Sequence, residues 1–169
     1  NEGSLIYGDR FKSSLIVDKL LAEGAFTDGE IVPADQYVKE MMSLIIYGDK
    51  SHYSNLYRVR NRNIAMRNGL VNTPYFLKIN EKFISQYRMS SGECLLISLI
   101  HFIYNSIVMR SIPAESQKLI LIDEIELALH PIATMRLINL LEEIMQSTQN
   151  ITALVATHSP ELIRKINPR

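Results

Sequence analysis

The stretch KLILIDEIELALHP, residues 118–131, decides the class of fold. Residues 119–122 are apolar without interruption, which is typical of a strand buried on both faces of a parallel sheet. A second apolar or β-branched run covers residues 151–157, and residues 131–146 between the two have the apolar spacing of a helix. This strand, helix and strand order predicts an α/β fold with parallel strands flanked by helices.

Polar residues follow both predicted strands. Asp123 and Glu124 follow the first strand, and His158 follows the second. Ligands of parallel sheets bind beyond the carboxyl ends of the strands. Asp123 is suited to hold Mg²⁺ through water, and Glu124 to orient a nucleophilic water. A simpler interpretation stays open, in which the acids are solvated and the histidine only hydrogen-bonds a neighbouring loop.

The segment MSSGE, residues 89–93, precedes a long apolar helix predicted over residues 93–110. Ser90 and Glu93 have the spacing of a capping box, which by itself explains a helix start. Free backbone N–H groups around Gly92 and the positive end of the helix dipole are also suited to grip a phosphate. One geometry serves both interpretations.

Together these motifs resemble those of ABC-type ATPases, and the closest branch is that of the OLD-like and SMC-like cytosolic ATPases. In the family's order they are the signature loop, the Walker B strand, the loop that crosses the dimer interface and the switch-histidine loop, at residues 90–93, 119–124, 125–131 and 156–160. Met89 stands where the family usually has leucine, and Ile125 where this branch usually has proline. Both replacements are apolar and remove no chemical group.

The resemblance implies a head-to-tail homodimer or larger homo-oligomer that binds ATP between its heads. The signature residues of one head would bind the nucleotide held by the other; they are Ser90, Ser91, Gly92 and Glu93. Each ATP would also contact the P-loop of its own head. The signature segment would therefore act on a neighbour's nucleotide.

The same resemblance assigns roles at a head's own nucleotide. Asp123 would position Mg²⁺ through water, Glu124 would polarise the attacking water, and His158 would hydrogen-bond the γ-phosphate. Glu126 and His130 would lie in the loop at the dimer interface. ATP and Mg²⁺ are thus the expected cofactors.

No Gly-x-x-x-x-Gly-Lys-Ser/Thr pattern occurs in the 169 residues, so the P-loop half of such a head is missing from them. The chain starts at Asn1 rather than Met, and we expect it to belong to a longer protein that is an ATPase when complete. This segment alone is expected to be inactive. Residues 89–169 carry the resemblance, whereas residues 1–88 are expected to form a mainly helical region, with helices at 10–23 and 34–47 and extended segments at 75–79 and 83–87.

Only one segment of the sequence has a strong charge asymmetry. Lys plus Arg total 18 and Asp plus Glu total 18, so net charge favours no partner. Residues 50–80 nevertheless contain six cations and no acid. With Tyr53, Tyr57, Tyr75 and Phe76 between them, they could contact a nucleic-acid backbone and stack on bases. A solvated or internally paired basic face is the alternative. The resembling branch includes DNA repair, chromosome maintenance and anti-phage defence, and the sequence does not choose among them. An effector nuclease is a further expected partner.

Composition indicates a soluble, cytoplasmic protein without a membrane contact. The single cysteine, Cys94, permits no internal disulfide and is expected to be buried. No basic-then-apolar leader opens the chain, and polar residues interrupt the longest apolar run, residues 94–109. His52 and His101 are expected to be structural.

Two alternative functions remain open at this point. The head could be a nucleotide-gated dimerisation scaffold with little hydrolysis. It could also be a metal-dependent phosphoesterase or nuclease, because carboxylates and imidazoles suit Mg²⁺ or Mn²⁺. The residues of that metal site would be Asp123, Glu124, Glu126, His130 and His158.

Overall fold

The computed structural model describes residues 10–109, 117–126, 128–148 and 150–166, which form two sheets with surrounding helices. The helices are α1 (Arg10–Ala22), α2 (Gln36–Tyr47), α3 (Arg62–Arg67), α4 (Ser91–Ile103), α5 (Pro131–Ser147) and α6 (Pro160–Lys165). The strands are β1 (Ile31–Pro33), β2 (Leu56–Val59), β3 (Tyr75–Ile79), β4 (Lys82–Ser85), β5 (Lys118–Ile122) and β6 (Ile151–Val155).

The two apolar runs pair as parallel strands. β5 and β6 are in register from Lys118 opposite Ile151 to Ile122 opposite Val155. The pairing continues beyond the strands, because the amide of Glu124 donates to the carbonyl of Ala156 at 3.1 Å. The α/β class with a parallel sheet is therefore confirmed, and the segments after both strands lie at one edge of the sheet.

Only one face of this parallel pair is covered by the residues that the structure describes. Ile120 and Ile151 point into the main core, and α5 packs against β6. Leu119, Leu121 and Leu154, which alternate with the buried positions, are between 56% and 69% exposed. The expectation that both faces are covered is thus not met within the described ranges.

The long apolar helix forms the centre of the core. Leu96, Ile97, Ile100 and Ile103 of α4 are fully buried, and α2 packs against both α4 and α5. The helix ends earlier than expected, since residues Tyr104–Val108 form a π-helical turn. By length and composition alone Ser91–Val108 could cross a membrane, but one such helix is weak evidence because the core helix of a soluble protein passes the same test.

An antiparallel sheet in the order β1-β2-β3-β4 lies in the N-terminal half. The helices expected at residues 10–23 and 34–47 are confirmed as α1 and α2, and β3 matches its expected extended segment. The expectation of a mainly helical region omitted β1, β2 and α3. β1 has three residues and ends at Pro33, and β2 carries Arg58 in its centre, so neither has a readable apolar pattern. Of the segment expected to be extended at 83–87, residues 83–85 lie in β4, whereas residues 86 and 87 belong to the 3₁₀ turn Gln86–Arg88.

One side chain ties the end of α2 to α5. The Arg136 guanidinium donates to the carbonyls of Ile45 and Ile46, both at 3.2 Å. Gly48 ends α2 with φ of 83°, and a β-carbon there would lie 2.6 Å from Nη2 of Arg136. Glycine suits the left-handed conformation there, and a larger residue would have to displace the Arg136 guanidinium.

Candidate nucleotide site

Ser90 begins helix α4 with a complete capping box. Its hydroxyl oxygen accepts from the amide of Glu93 at 3.2 Å, and its own amide donates to Oε2 of Glu93 at 2.9 Å. The structural interpretation of this segment is thus confirmed. It does not exclude the phosphate-binding one, because Ser90 and Ser91 are both exposed at the positive end of the helix dipole.

Gly92 brings the start of α4 against the loop at residues 125–131. A β-carbon at Gly92 would lie 2.3 Å from the carbonyl oxygen of Ala128 and 3.1 Å from Cδ2 of Leu129. Real β-carbons do not approach a backbone oxygen so closely, so no larger residue fits without moving the loop. Two motifs that lie far apart in the sequence therefore share one contact surface.

Glu93 uses both carboxylate oxygens inside the protein. Oε2 binds Ser90, and Oε1 accepts from the Tyr53 hydroxyl at 2.5 Å. Partial burial raises the pKa of Glu93, but the hydrogen bonds from Ser90 and Tyr53 outweigh it and keep that pKa below its ordinary value. Burial, and then the bond to Glu93, raise the pKa of Tyr53. In this structure the Glu93 carboxylate therefore holds the start of α4 in place through its hydrogen bonds with Ser90 and Tyr53.

A cavity of about 240 Å³ lies between the end of α2, the start of α4 and the beginning of α5. Its polar lining comes from Ser90, Glu93 and His130, and its apolar lining includes Leu129 and Ala133. The cavity therefore lies next to residues 90–93, which resemble the signature loop of ABC-type ATPases.

Asp123 and Glu124 extend from the end of β5 into solvent. Both residues are exposed, and Glu124 has φ of 49°, in the left-handed region that non-glycine residues seldom adopt. Such strain persists only where the surroundings fix it, and it is concentrated at functional sites. Here the amide of Glu124 is bound by Ala156, and the next residue, Ile125, is only 1% exposed.

The half-buried carboxylate of Glu126 binds the segment that carries His158. Oε2 accepts from the Thr157 hydroxyl at 2.8 Å, and Oε1 accepts from the His158 amide at 2.5 Å. Desolvation raises the pKa of Glu126, but hydrogen bonds from its own amide, from Thr157 and from His158 together bring that pKa below its ordinary value. The carboxylate is therefore charged at neutral pH.

The two candidate histidines occupy different positions. His158 is exposed at the edge of the parallel strands. His130 is the N-cap of α5, where Nδ1 accepts from the Ile132 amide at 3.4 Å and Pro131 occupies the first turn. The structure thus brings His158 to the edge that carries Asp123 and Glu124, and gives His130 a capping role.

The residues at this edge fit a water-mediated Mg²⁺ ion but not a protein-built metal centre. Within the described ranges, no group of three or more histidines, cysteines or acids is close enough to hold a metal ion. The five-residue phosphoesterase centre is therefore not assembled there. A single exposed carboxylate such as Asp123 suits Mg²⁺, which usually keeps several waters and binds few carboxylates when phosphates supply the other ligands.

The basic stretch lacks most of the aromatic surface that the sequence suggested, and of the four rings named only Tyr57 is partly exposed. Tyr53, Tyr75 and Phe76 are at most 2% exposed, so these rings cannot stack on bases. Three of the six cations form ion pairs: Arg58 with Asp35, Arg67 with Glu30 and Lys78 with Glu81. Sequence patterning could not show this, because an alternation of basic and aromatic residues is also that of a half-buried strand.

The structural roles expected of Cys94, His101 and His52 are confirmed. Cys94 is buried. His101 lies within α4, 2.7 Å from the Tyr75 hydroxyl, and His52 stacks on Tyr47 with ring centroids 3.5 Å apart. Sequence reasoning gave no role to Thr157, although its position directly before His158 was a signal.

These features define an α/β domain whose candidate chemistry lies at the carboxyl edge of two parallel strands. Residues 30–164 match the model of a family described as "AAA domain, putative AbiEii toxin, Type IV TA system". The chain belongs to this family and hence to the AAA-type P-loop ATPases, a class that binds and hydrolyses nucleotides and generally uses ATP and Mg²⁺. No curated protein matches the chain significantly.

Proposed function

We propose that this chain supplies the signature, Walker B and switch elements of an ATPase that hydrolyses ATP between two heads in a head-to-tail dimer. One observation carries the proposal. The segments after β5 and β6 are bound to each other through Glu126, while the loop that follows Glu126 lies against Gly92. All three motifs therefore belong to one connected surface.

The roles within one head follow from position and charge. Mg²⁺, when bound, would neutralise charge on the phosphates. Asp123 would hold it through water, since that carboxylate is exposed at the sheet edge. Glu124 would accept a proton from the attacking water, and His158 would donate a hydrogen bond to the γ-phosphate.

The signature segment would act on the nucleotide of the partner head. Ser90 and Ser91 are exposed at the N-terminus of α4, where the positive end of the helix dipole favours phosphate oxygens. Glu93 would contribute indirectly, because Ser90 and Tyr53 already occupy its carboxylate. The capping box would keep the loop in its binding conformation before the partner arrives.

Membership of the OLD-like or SMC-like branch, a cytoplasmic location, an effector nuclease and a nucleic-acid partner are parts of the same proposal. For nucleic acid, the support is limited to the exposed cations Lys50, Arg60 and Arg62. Such contacts would bind phosphates without reading sequence. Weaker binding with rising salt would be their signature.

The test measures steady-state ATP turnover by the complete polypeptide that carries this chain. Glu124→Gln should lower kcat about 100-fold or more, because a general base contributes factors of that order. Glu143→Gln, an exposed carboxylate on α5, is the matched control and should keep normal turnover. Unchanged hydrolysis in Glu124→Gln would contradict the proposal.

A further inference from the structure

Glu126 joins the segment after β5 to the segment after β6. It lies two residues beyond Glu124, whose left-handed backbone turns the chain at the end of β5. Ile125, between them, is buried and anchors the turn in the core. The backbone at Glu126 is therefore held in place, and the Glu126 carboxylate reaches from it to the segment after β6.

Within the described ranges, the segment at residues 156–159 is hydrogen-bonded to β5 and to the residues that follow β5. The Ala156 amide donates to the carbonyl of Ile122 at 2.8 Å, and the His158 amide donates to Glu126. Thr157 relays the next contact, since its hydroxyl accepts from the Ser159 amide at 3.0 Å and donates its own proton to Glu126. Glu126 therefore orders two successive amides, one directly and one through Thr157.

We infer that Glu126 is a positioning residue that fixes the His158 backbone and so holds the imidazole at the strand edge that also carries Glu124. This inference rests on the proposed function, because it assigns to His158 a role in turnover. The His158 side chain is exposed, so packing does little to orient it. Its direction depends on the backbone, and Glu126 holds that backbone by charge-assisted hydrogen bonds.

Substitutions of Glu126 and Thr157 distinguish the loss of a hydrogen bond from a change in side-chain size. Glu126→Gln keeps the shape but replaces one acceptor oxygen with an amide nitrogen that cannot accept the Thr157 proton. Thr157→Val removes the relay hydroxyl, and Thr157→Ser restores it. We expect Glu126→Gln and Thr157→Val to lower kcat about 10- to 100-fold in the complete protein, the cost of a displaced catalytic group. Thr157→Ser should recover most of that loss.

A double-mutant cycle with His158→Ala distinguishes positioning from general support of the fold. If Glu126 acts through His158, Glu126→Gln should change kcat by less than about twofold once the imidazole is absent. An equal loss of kcat with and without the imidazole would overturn the inference.

Hydrogen exchange provides a measurement that needs no turnover. Amides of residues 158 and 159 should exchange faster in Glu126→Ala than in the unmodified protein and in the control Glu143→Ala. Unchanged exchange would overturn the inference while leaving the proposed function intact. Faster exchange in a complete protein without any ATPase activity would instead contradict the proposed function alone.

Discussion

Gly92 lies directly against the carbonyl oxygen of Ala128, at the contact between helix α4 and the loop after strand β5. A methyl group at position 92 would stand 2.3 Å from that oxygen. The contact links the candidate signature loop to the segment that contains Glu126 and ends at the N-cap of α5. Changes at either side should therefore affect the other.

Gly92→Ala tests this contact. The added methyl must displace backbone rather than a flexible side chain, so the free energy of unfolding should fall by about 1 to 3 kcal/mol. Chemical denaturation measures this. Asn139→Ala, at an exposed position of α5, is the control and should change stability by less than about 0.5 kcal/mol. Equal stability of the two variants would contradict the geometry at Gly92.

Gly48→Ala tests the junction between α2 and Arg136. Gly48 and Gly24 both have positive φ, 83° and 63°, but only Gly48 has a side chain within reach of a new β-carbon. Gly24→Ala should therefore cost only the strain of a left-handed alanine, about 1 kcal/mol, whereas Gly48→Ala should cost more. In an Arg136→Ala background the excess should disappear, and its persistence would show that Arg136 is not the cause.

Tyr53→Phe tests the hydrogen bond from the antiparallel region to Glu93. Loss of this charge-assisted bond should lower the free energy of unfolding by about 1 to 2 kcal/mol at pH 7. Tyr57→Phe is the matched control, because Tyr57 packs edge-on against Phe83 and should lose little stability. Equal losses would argue against a bond to Glu93.

The same variant has a predicted pH dependence. The pKa of Glu93 is depressed in the folded protein, partly by Tyr53, so its stabilisation is present above the unfolded pKa of about 4.5 and is lost as pH falls through the folded value. Tyr53→Phe should bring that pKa closer to the unfolded one. The stability difference between the two proteins should therefore shrink below pH 4.5; a difference constant from pH 7 to pH 3.5 would contradict it.

The sequence predicted the elements that have a clear period or an uninterrupted apolar run. β5, α5 and β6 lie where expected, and the capping box at Ser90 was readable from spacing alone. Contacts between distant segments were not readable. The hydrogen bond between Tyr53 and Glu93 could not be predicted from the sequence, because it depends on how α2 packs against α4.

The backbone strain at Glu124 could not be predicted from the sequence either. Glu124 adopts a positive φ, although glycine or asparagine is the usual residue there. No glycine marks this position in the sequence, and the conformation is explained by the pairing with Ala156 and the burial of Ile125. Likewise the sequence did not show that the Glu126 carboxylate binds Thr157 and His158, because that contact joins segments about 30 residues apart. Its place at a dimer interface stays a prediction.

In the proposed dimer, the signature segment of one head acts on the nucleotide of the other. The direct test mixes two inactive variants of the complete protein, Ser91→Arg in the signature segment and Glu124→Gln at the catalytic edge, and measures ATP turnover after subunit exchange. A head-to-tail heterodimer of the two has one intact site, so random pairing should restore about a quarter of normal turnover. A mixture no more active than either variant alone would contradict the account.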